Sequence, residues 1–471
     1  MHVSLDRAGS IPLTEQLFTQ VKRLIVSGAL VAGGRLPSSR ALAEELGVSR
    51  TVTFQAYDRL LAEGYVTASR GAGTYVAPGV AIPRSGGRSR SRNRMPPRRI
   101  GFEPLRNDLI DFRTGVPDLH FFPIATWQRL QREVWSALTP RDLAYSAPEG
   151  RIELRDAISG YLRVQRGVQC DPDQIVISSG TTQAISLLSS ALSSGSKTAR
   201  AAVEEPVTSD IPLIMARSGV TALHVPVDTE GISPAHLSKL DGIRFVYVTP
   251  SHHYPLGISM PASRRASLIE TARHLNAYLV EDDYDSELRY GLPPVSTLHE
   301  LDPARVAYIG TFSKTLAPAL RAAFLVLPWE IVAEVRKAKW QSDLHNASPE
   351  QLVLARFVAE GYYVRHIAAM RRLYARKWSV LERALSGAFG ASAEVLGSPA
   401  GIHVAVRFPG ERFDLDRLRD LESRGVKFYP VSQHAFRPSQ WLDCLVIGFG
   451  HLDEKAIEKG ISVLGHALAH R

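Results

Sequence analysis

The hydrophobic pattern of the first 77 residues predicts three helices followed by a hairpin. Apolar residues recur at three- and four-residue spacing over 13–25, which is the stripe of an amphipathic helix. Two shorter segments, 38–47 and 49–64, each begin at serine and end at glycine, as capped helices do. The β-prone runs within 65–76 bracket a Gly-Ala-Gly turn. Two short helices around a glycine turn, followed by a hairpin, are typical of a winged helix-turn-helix.

From about residue 111 onward the pattern changes to short apolar runs separated by helix-length segments. Such alternation predicts a mostly parallel sheet with helices on both faces. The runs are 174–178, 201–203, 244–248, 277–280 and 305–309. From about Trp329 the chain shows long helical patterns and then strand-like segments at 403–406 and 445–447. We therefore expect a large α/β subdomain followed by a smaller α+β subdomain.

Length and composition are those of a multidomain globular protein. A chain of 471 residues with 45% hydrophobic residues is long enough to form several cores. Its two cysteines are too few for a disulfide framework, so we expect a reducing cytoplasm. Because no apolar run is long enough to cross a bilayer, we expect no membrane association.

The positive charge is concentrated in the N-terminal fifth. The formal net charge is +9. Residues 1–76 hold eight Lys/Arg against six acids, and 77–102 hold seven arginines and no acid, which predicts a polyanionic partner for this part alone. The segment 78–107 is rich in Pro, Gly, Ser and Arg, as flexible linkers are. A solvated tether explains its arginines as well as a DNA contact does.

The helix-turn-helix nominates DNA contacts by geometry. The second helix of such a motif enters the major groove with its N-terminal residues nearest the bases. The preceding helix and the wing can reach phosphates and the minor groove. The base-contact candidates are Ser49, Arg50, Thr51 and Thr53, and the backbone and wing candidates are Arg40, Arg70, Gly71, Gly73 and Thr74. The alternative for the arginines is an ordinary surface position.

A second group of residues matches the needs of one cofactor. An aldehyde with a pyridine ring and a phosphate requires an amine, a carboxylate for its ring nitrogen, a phenol for its ring oxygen and a cation. Lys314, Asp282, Tyr284 and Arg321 offer these groups within one stretch. Each alone has a common explanation, since lysines and acidic turns are usually solvated. Together they predict a site for pyridoxal 5'-phosphate (PLP).

The positions of these residues support the same site. Asp282 and Tyr284 follow an apolar run, and a spacing of two places both side chains on one side of an extended segment. The carboxyl end of such a strand faces the crevice where open α/β sheets bind ligands. Gly180, Thr181 and Thr182 lie between an apolar strand and a helix, where backbone N–H groups bind anions.

Several segments together resemble one protein family. They are Tyr-Ser-Ala-Pro-Glu-Gly (145–150), Ser-Ser-Gly-Thr-Thr-Gln-Ala (178–184), Thr-Pro-Ser-His-His-Tyr-Pro-Leu-Gly (249–257), Glu-Asp-Asp-Tyr-Asp (281–285) and Gly-Thr-Phe-Ser-Lys (310–314), with Gly-Arg-Leu-Pro-Ser-Ser-Arg (34–40) and Val-Ser-Arg-Thr-Val (48–52) before them. The chain resembles the MocR-type subfamily of GntR-family transcription regulators. In that subfamily a winged helix-turn-helix is fused to a fold-type I aminotransferase-like domain.

The resemblance implies a domain order and a set of roles. The DNA-binding domain would span 1–77, the linker 78–107, and the aminotransferase-like domain 108–471, with subdomains of about 108–330 and 331–471. PLP would form an internal aldimine with Lys314, with Asp282 on the ring nitrogen and Tyr284 on the ring oxygen. The phosphate ligands would be Arg321, Thr311, Gly180, Thr181 and Thr182. A homodimer, head-to-tail, would bind double-stranded DNA with repeated half-sites.

Three positions depart from the enzymes of this fold. Val446 stands where an arginine usually binds the substrate carboxylate, and Tyr254 stands where asparagine often reaches the ring oxygen. Thr208, after Glu-Glu-Pro-Val (204–207), stands where an aromatic residue often stacks on the PLP ring. We therefore expect a regulator rather than an enzyme, with PLP or an amino-compound adduct as effector and vitamin B6 or amino-acid metabolism as target. The alternatives are an active class I/II aminotransferase with an accessory DNA-binding domain, and a DNA-binding protein with a vestigial cofactor fold.

Overall fold

The computed structural model describes residues 1, 3–69, 73–80, 106, 108–194, 198–290 and 295–469. The chain divides into two compact units, Met1–Glu103 and Pro104–Arg471. The first corresponds to the predicted DNA-binding domain and the second to the predicted aminotransferase-like domain. Most of the predicted linker, 78–107, lies outside the described residues.

The first unit is the predicted winged helix-turn-helix. Its elements are helices α1 (Leu13–Val26), α2 (Ser39–Leu46) and α3 (Arg50–Ala62) and strands β1 (Val66–Ser69) and β2 (Gly73–Val76). The strands form an antiparallel hairpin. Fully buried leucine, valine and isoleucine side chains from all three helices meet in one core. Arg70 and Gly71, two of the candidate wing contacts, lie outside the described residues.

Local chemistry explains the turn between α2 and α3. Ser38 caps α2, because its hydroxyl accepts a hydrogen bond from Ala41 N at 3.1 Å. Gly47 ends the helix at a φ of 61°, a left-handed conformation that glycine adopts without a side-chain clash. Ser49 stands at the N-cap of α3 but makes no side-chain capping bond.

The second unit contains the remaining regular elements of the described residues. Its strands are β3 (Ile110–Asp111), β4 (Ile175–Ser178), β5 (Ala199–Glu205), β6 (Val220–Asp228), β7 (Gly231–Ile232), β8 (Ile243–Val248), β9 (Tyr278–Asp283), β10 (Val306–Thr311), β11 (Ala323–Val326), β12 (Glu394–Leu396), β13 (His403–Arg407), β14 (Val426–Lys427), β15 (Tyr429–Pro430) and β16 (Cys444–Gly448). Its helices are α4 (Ile124–Ala137), α5 (Ile152–Gln165), α6 (Thr181–Ser193), α7 (Asp210–Arg217), α8 (Pro234–Leu237), α9 (Ala262–His274), α10 (Leu298–Leu301), α11 (Trp329–Asp343), α12 (Ser348–Ala359), α13 (Tyr362–Phe389), α14 (Leu415–Ser423) and α15 (Glu454–Ala469).

The main sheet confirms the predicted α/β architecture. Within the described residues its strand order is β4-β11-β10-β9-β8-β5-β6-β7. The pairings from β10 through β6 are parallel, whereas β11 is antiparallel to both of its neighbours. Alternate residues of the strands enter separate apolar clusters, one with α6, α7 and α11 and the others with α4, α5, α9 and α12. Helices therefore cover both faces of the sheet.

A smaller α+β subdomain follows, as predicted, but its core begins later than residue 331. Its sheet has the order β12-β13-β16-β15, and α13 and α15 pack on it. Helix α11 instead packs in the main-sheet cluster through Ile331, Val332 and Val335, and α12 also belongs to the main-sheet side. The sequence predicts the boundary between the subdomains where strand–helix alternation ends. The difference arises because helical periodicity does not show which sheet a helix covers.

Candidate functional site

The candidate cofactor residues converge at one edge of the main sheet. Strand β9 ends in Asp282 and Asp283 and leads into Tyr284. Strand β10 ends at Thr311, three residues before Lys314, and β4 is followed by Gly180 at the start of α6. The carboxyl ends of these strands lie on one side of the sheet, which is where open α/β sheets bind ligands.

Lys314 is an amine held largely out of water. Its Nζ donates a hydrogen bond to Gly115 O at 3.0 Å. Burial lowers the pKa of Lys314, the carboxylates of Asp285 and Asp282 oppose that shift, and Arg321 adds to it. A lowered pKa increases the fraction of neutral amine, which is the form that attacks a carbonyl carbon.

Asp282 has one satisfied oxygen and one without a partner among the described residues. Its Oδ2 accepts a hydrogen bond from Tyr247 Oη at 2.6 Å, whereas the buried Oδ1 accepts none. Burial raises the pKa of Asp282 to about 7, against the hydrogen bond from Tyr247. A buried acceptor of this kind matches a protonated ring nitrogen, because a cationic N–H donor would satisfy Oδ1 and favour the ionised carboxylate.

Two phenols and two histidines lie close together near Asp285. Tyr284 Oη donates to His252 O at 2.9 Å, and His252 Nδ1 lies 2.8 Å from Asp285 Oδ2. Tyr254 Oη lies 3.2 Å from His434 Nε2. Burial raises the pKa of Tyr254 to about 12, so this phenol remains protonated at neutral pH and can donate a hydrogen bond.

The phosphate-binding candidates surround the start of α6. A Cβ atom at Gly180 would lie 2.6 Å from an Arg321 Nη atom, so the guanidinium lies directly beside this glycine. No side chain caps the N-terminus of α6, and within the described part of the chain Arg321 forms no ion pair. A helix N-terminus and an unpaired guanidinium together fit a phosphate.

Two further phosphate candidates, Thr181 and Thr182, lie in the first turn of α6, whose N–H groups have no partners within the helix. Thr311 lies at the end of β10, buried, and its hydroxyl accepts a hydrogen bond from Ser313 N at 3.2 Å. The structure therefore brings the predicted cofactor residues to one edge of the sheet.

Sequence reasoning missed several of the groups that hold these residues. The sequence indicates Tyr247 only as part of an apolar strand, because a tyrosine in a strand is usually a core residue. His252 belongs to the Thr-Pro-Ser-His-His-Tyr-Pro segment, whose resemblance to the family implies no role for this histidine. Asp285 is the last residue of the Glu-Asp-Asp-Tyr-Asp segment, and its contact with His252 was not expected.

Val446 has an apolar environment. It is fully buried on β16 in a cluster with Leu256, Ala405, Val431 and Cys444. The nearby Arg113 is paired with Asp111, with an Nε–Oδ2 distance of 2.9 Å. Val446 is uncharged, and the Arg113 guanidinium is already bound to a carboxylate, so these two residues do not provide a cation for a substrate carboxylate.

The N-terminal half of α3 presents candidate DNA contacts. Arg50 and Thr51 are exposed at its start, and Ser49 is exposed just before it. Arg40 is exposed on α2 and lies 3.4 Å from Glu44. In the wing, Gly73 lies directly beside the Arg35 side chain, because a Cβ atom added at this glycine would lie 3.0 Å from Arg35 Nε. The backbone of Thr74 is also held by the chain before α2, since Thr74 O accepts a hydrogen bond from Leu36 N at 2.8 Å.

The nomination of Thr53 as a base contact is wrong. Its side chain is fully buried, and its hydroxyl donates to Ser39 O at 2.7 Å. The residue lies on the face of α3 that carries Ala56, Tyr57 and Leu60 into the core. Thr53 therefore connects α2 to α3 and does not face solvent.

Comparisons with known proteins agree with both units. Residues 13–76 match the family described as bacterial regulatory proteins of the gntR family, and residues 107–437 match aminotransferase class I and II. The probable rhizopine catabolism regulatory protein MocR of Rhizobium meliloti is 33% identical, over 98% of this chain and 95% of its own. The pyridoxine biosynthesis transcriptional regulator PdxR of Corynebacterium glutamicum is 32% identical, over 98% and 96%.

Solved structures resemble the second unit. Kynurenine aminotransferase of Pyrococcus horikoshii, in complex with PMP, has a TM-score of 0.71 and 26% identity, over 77% of this chain and 91% of that one. The α-aminoadipate aminotransferase LysN of Thermus thermophilus, complexed with N-(5'-phosphopyridoxyl)-L-leucine, has a TM-score of 0.69 and 25% identity, over 77% and 92%.

The predicted cofactor is confirmed by the family match and by the bound groups of these neighbours. The chain binds pyridoxal phosphate. The Asp282 oxygen that has no partner among the described residues, the Lys314 amine and the Arg321 guanidinium fit its ring nitrogen, aldehyde and phosphate. The first unit binds DNA, as its gntR match indicates. No helix in the described parts of the chain has the length and hydropathy needed to span a membrane.

Proposed function

Since the chain belongs to the MocR-type subfamily of GntR-family transcription regulators, we propose that it regulates transcription in response to PLP or an amino-compound adduct of it. One observation supports the proposal: a chain with a DNA-binding unit also has, at one edge of its main sheet, groups suited to each part of the cofactor. These include a buried Asp282 oxygen without a partner among the described residues. The proposed setting is the cytoplasm.

We assign each predicted residue a role in holding the cofactor. Lys314 supplies the amine for covalent attachment, Asp282 holds the ring nitrogen, and Tyr284 faces the ring oxygen. Arg321, Thr311, Gly180, Thr181 and Thr182 hold the phosphate. When bound, PLP supplies an electrophilic carbon and an electron-withdrawing ring. Burial lowers the pKa of Lys314, which increases the fraction of neutral amine available for attachment.

The environment of Val446 favours PLP itself over an amino acid as effector. An amino-acid carboxylate needs a cation, but Val446 lies in an apolar cluster and Arg113 is paired with Asp111. A sensor of the free cofactor needs no such cation. The pyridoxine biosynthesis regulator among the relatives supports vitamin B6 metabolism as the target.

The active form in this proposal is a head-to-tail homodimer on repeated half-sites. Exposed apolar side chains lie on two segments of the second unit that precede α4 and α5, namely Leu119, Phe121, Leu143 and Tyr145. Covering such side chains with a second copy would remove apolar surface from water. Cofactor attachment would then shift the dimer between arrangements that place the two DNA-binding units differently.

The experiment compares DNA binding with and without PLP. Footprints and affinities on the DNA upstream of the gene are measured for the wild type, for Lys314→Ala and for Lys337→Ala, whose lysine is exposed on α11. We expect PLP to change the wild-type and Lys337→Ala footprints and to leave that of Lys314→Ala unchanged. An identical wild-type footprint with and without PLP would contradict the proposal.

The second candidate is an active aminotransferase, because the chain matches the aminotransferase family and burial lowers the pKa of Lys314, which favours the nucleophilic neutral amine. Conversion of an amino acid and a keto acid over many turnovers, lost in Lys314→Ala, would establish it. The expected result for a sensor is at most a single turnover per site.

A further inference from the structure

Phe54 is a large apolar residue on the DNA-binding helix that the fold does not use. Its side chain is 63% exposed, and it is absent from the core cluster of the first unit. The buried stripe of α3 consists of Thr53, Ala56, Tyr57 and Leu60. Phe54 therefore lies outside that stripe, one turn after Arg50 and three residues after Thr51, so the three side chains share one exposed side of the helix.

Its place on the helix distinguishes Phe54 from an ordinary exposed apolar residue. Single apolar side chains are common on protein surfaces. Phe54, however, lies in the second turn of the helix that enters the major groove, about 6 Å along the axis from Arg50. Base edges are contacted from this N-terminal part of the helix. Phe54 would consequently face base pairs rather than bulk solvent in the complex.

The charges around Phe54 indicate which surface covers it. Arg50 is exposed and forms no ion pair within the described residues, which suits a polyanion. Arg59, further along α3, is instead paired with Glu15 and Glu63. Asp58 is exposed one turn after Phe54, so the middle of the helix repels phosphates. The DNA-facing part of α3 is thus confined to its first turns, where Phe54 lies.

A phenyl ring can recognise only one feature of the major groove. It has no hydrogen-bond donor or acceptor, so it cannot distinguish guanine, adenine or cytosine by polar contact. Thymine presents a C5-methyl group there, and apolar side chains pack against it. We propose that Phe54 is a specificity-determining residue that packs against the C5-methyl group of one thymine in each operator half-site, within about two base pairs of the base contacted by Arg50.

The experiment removes the methyl group without changing the pairing. High-affinity duplexes are selected from a random library with the full-length, PLP-loaded protein, and each thymine of the best duplex is replaced by uracil. We expect one position per half-site at which the wild type binds about four-fold more weakly, the effect of losing one buried methylene-sized group. Phe54→Ala should bind more weakly and be indifferent to uracil at that position, whereas Phe54→Leu should remain sensitive.

The matched control is Leu61→Ala, which removes another exposed apolar side chain near the end of the same helix. It should keep the wild-type affinity and uracil sensitivity. The proposal is overturned if the wild type tolerates uracil at every position, or if Phe54→Ala stays sensitive. It is also overturned if Phe54→Ala keeps the thymine preference but dissociates the dimer in sedimentation, because Phe54 would then be a protein contact. If Phe54→Ala binds too weakly for titration, the library selection is repeated with this variant. Duplexes without a preferred thymine at that position would then support the proposal, and duplexes that keep it would overturn it.

Discussion

The proposed DNA-facing side of α3 and the proposed cofactor edge of the main sheet hold their functional groups in opposite ways. Arg50 and Thr51 are exposed, and the fold of the first unit does not depend on them. Asp282 and Lys314 lie inside the second unit, where burial raises the pKa of Asp282 and lowers that of Lys314. The exposed side chains of α3 can therefore change at little cost to folding. The cofactor side chains are energetically unfavourable until their ligand arrives.

The largest expected effect is on cofactor affinity. Asp282→Asn removes the only carboxylate assigned to the ring nitrogen, and losing one partner of a buried charged pair costs about 2–5 kcal/mol. We expect PLP affinity to fall by about 10²-fold or more, measured by equilibrium titration of cofactor absorbance. Tyr247→Phe is the control, since it removes the hydrogen bond to Oδ2 and leaves the carboxylate. An equal loss in both variants would mean that Asp282 is only a packing partner of Tyr247.

The same substitution should stabilise the cofactor-free protein. The pKa of Asp282 is raised to about 7 from an ordinary value of 3.8. The unfolded chain therefore loses this proton near pH 4, whereas the folded chain keeps it until about pH 7. The contribution of Asp282 to the free energy of unfolding therefore falls as pH rises from about 4 to about 7. An asparagine amide does not titrate in this range, so the free energy of unfolding of Asp282→Asn relative to the wild type should rise from pH 5 to pH 8 by up to about 3 kcal/mol, followed as the difference in Tm between the two proteins.

A constant difference in Tm across that range would show that Asp282 is ionised in the free protein throughout. Adding PLP should reverse the order of stability, because the ligand stabilises only the form that binds it strongly. This reversal would show directly that the buried Asp282 carboxylate binds the cofactor, although it destabilises the cofactor-free protein.

On the DNA-facing side of α3, a substitution should weaken ligand binding without changing the stability of the free protein. Arg50→Ala removes an exposed guanidinium and should weaken binding to a selected duplex by about 1–3 kcal/mol. Its free energy of unfolding should stay within about 0.5 kcal/mol of that of the wild type. Arg59→Ala is the control, because its ion pairs with Glu15 and Glu63 belong to the fold. If Arg59→Ala weakened DNA binding more than Arg50→Ala, the assigned orientation of α3 would be wrong.

The two regions also differ in how far the sequence predicted them. The cofactor candidates stand at strand ends, and strand ends are visible as the limits of apolar runs, so Asp282 and Lys314 could be placed from the pattern. Tyr247 could not, because only the contact across the sheet gives it a partner. On α3 the nomination of Thr53 failed because one residue along a helix turns the side chain by about 100°, and the sequence near a helix start does not fix that phase.

Thr53 gives the smallest expected effect and the sharpest contrast with its neighbour Thr51. Thr53→Val keeps the shape of the side chain but removes the hydroxyl that donates to Ser39 O. The first unit should lose about 1 kcal/mol of stability, the net value of one such bond, with the base preference unchanged. Thr51→Val alters an exposed side chain and should leave stability unchanged while weakening DNA binding. Thermal unfolding and library selection on both variants measure these effects. A changed base preference in Thr53→Val, with stability intact, would mean that this buried threonine faces the DNA when α3 is bound.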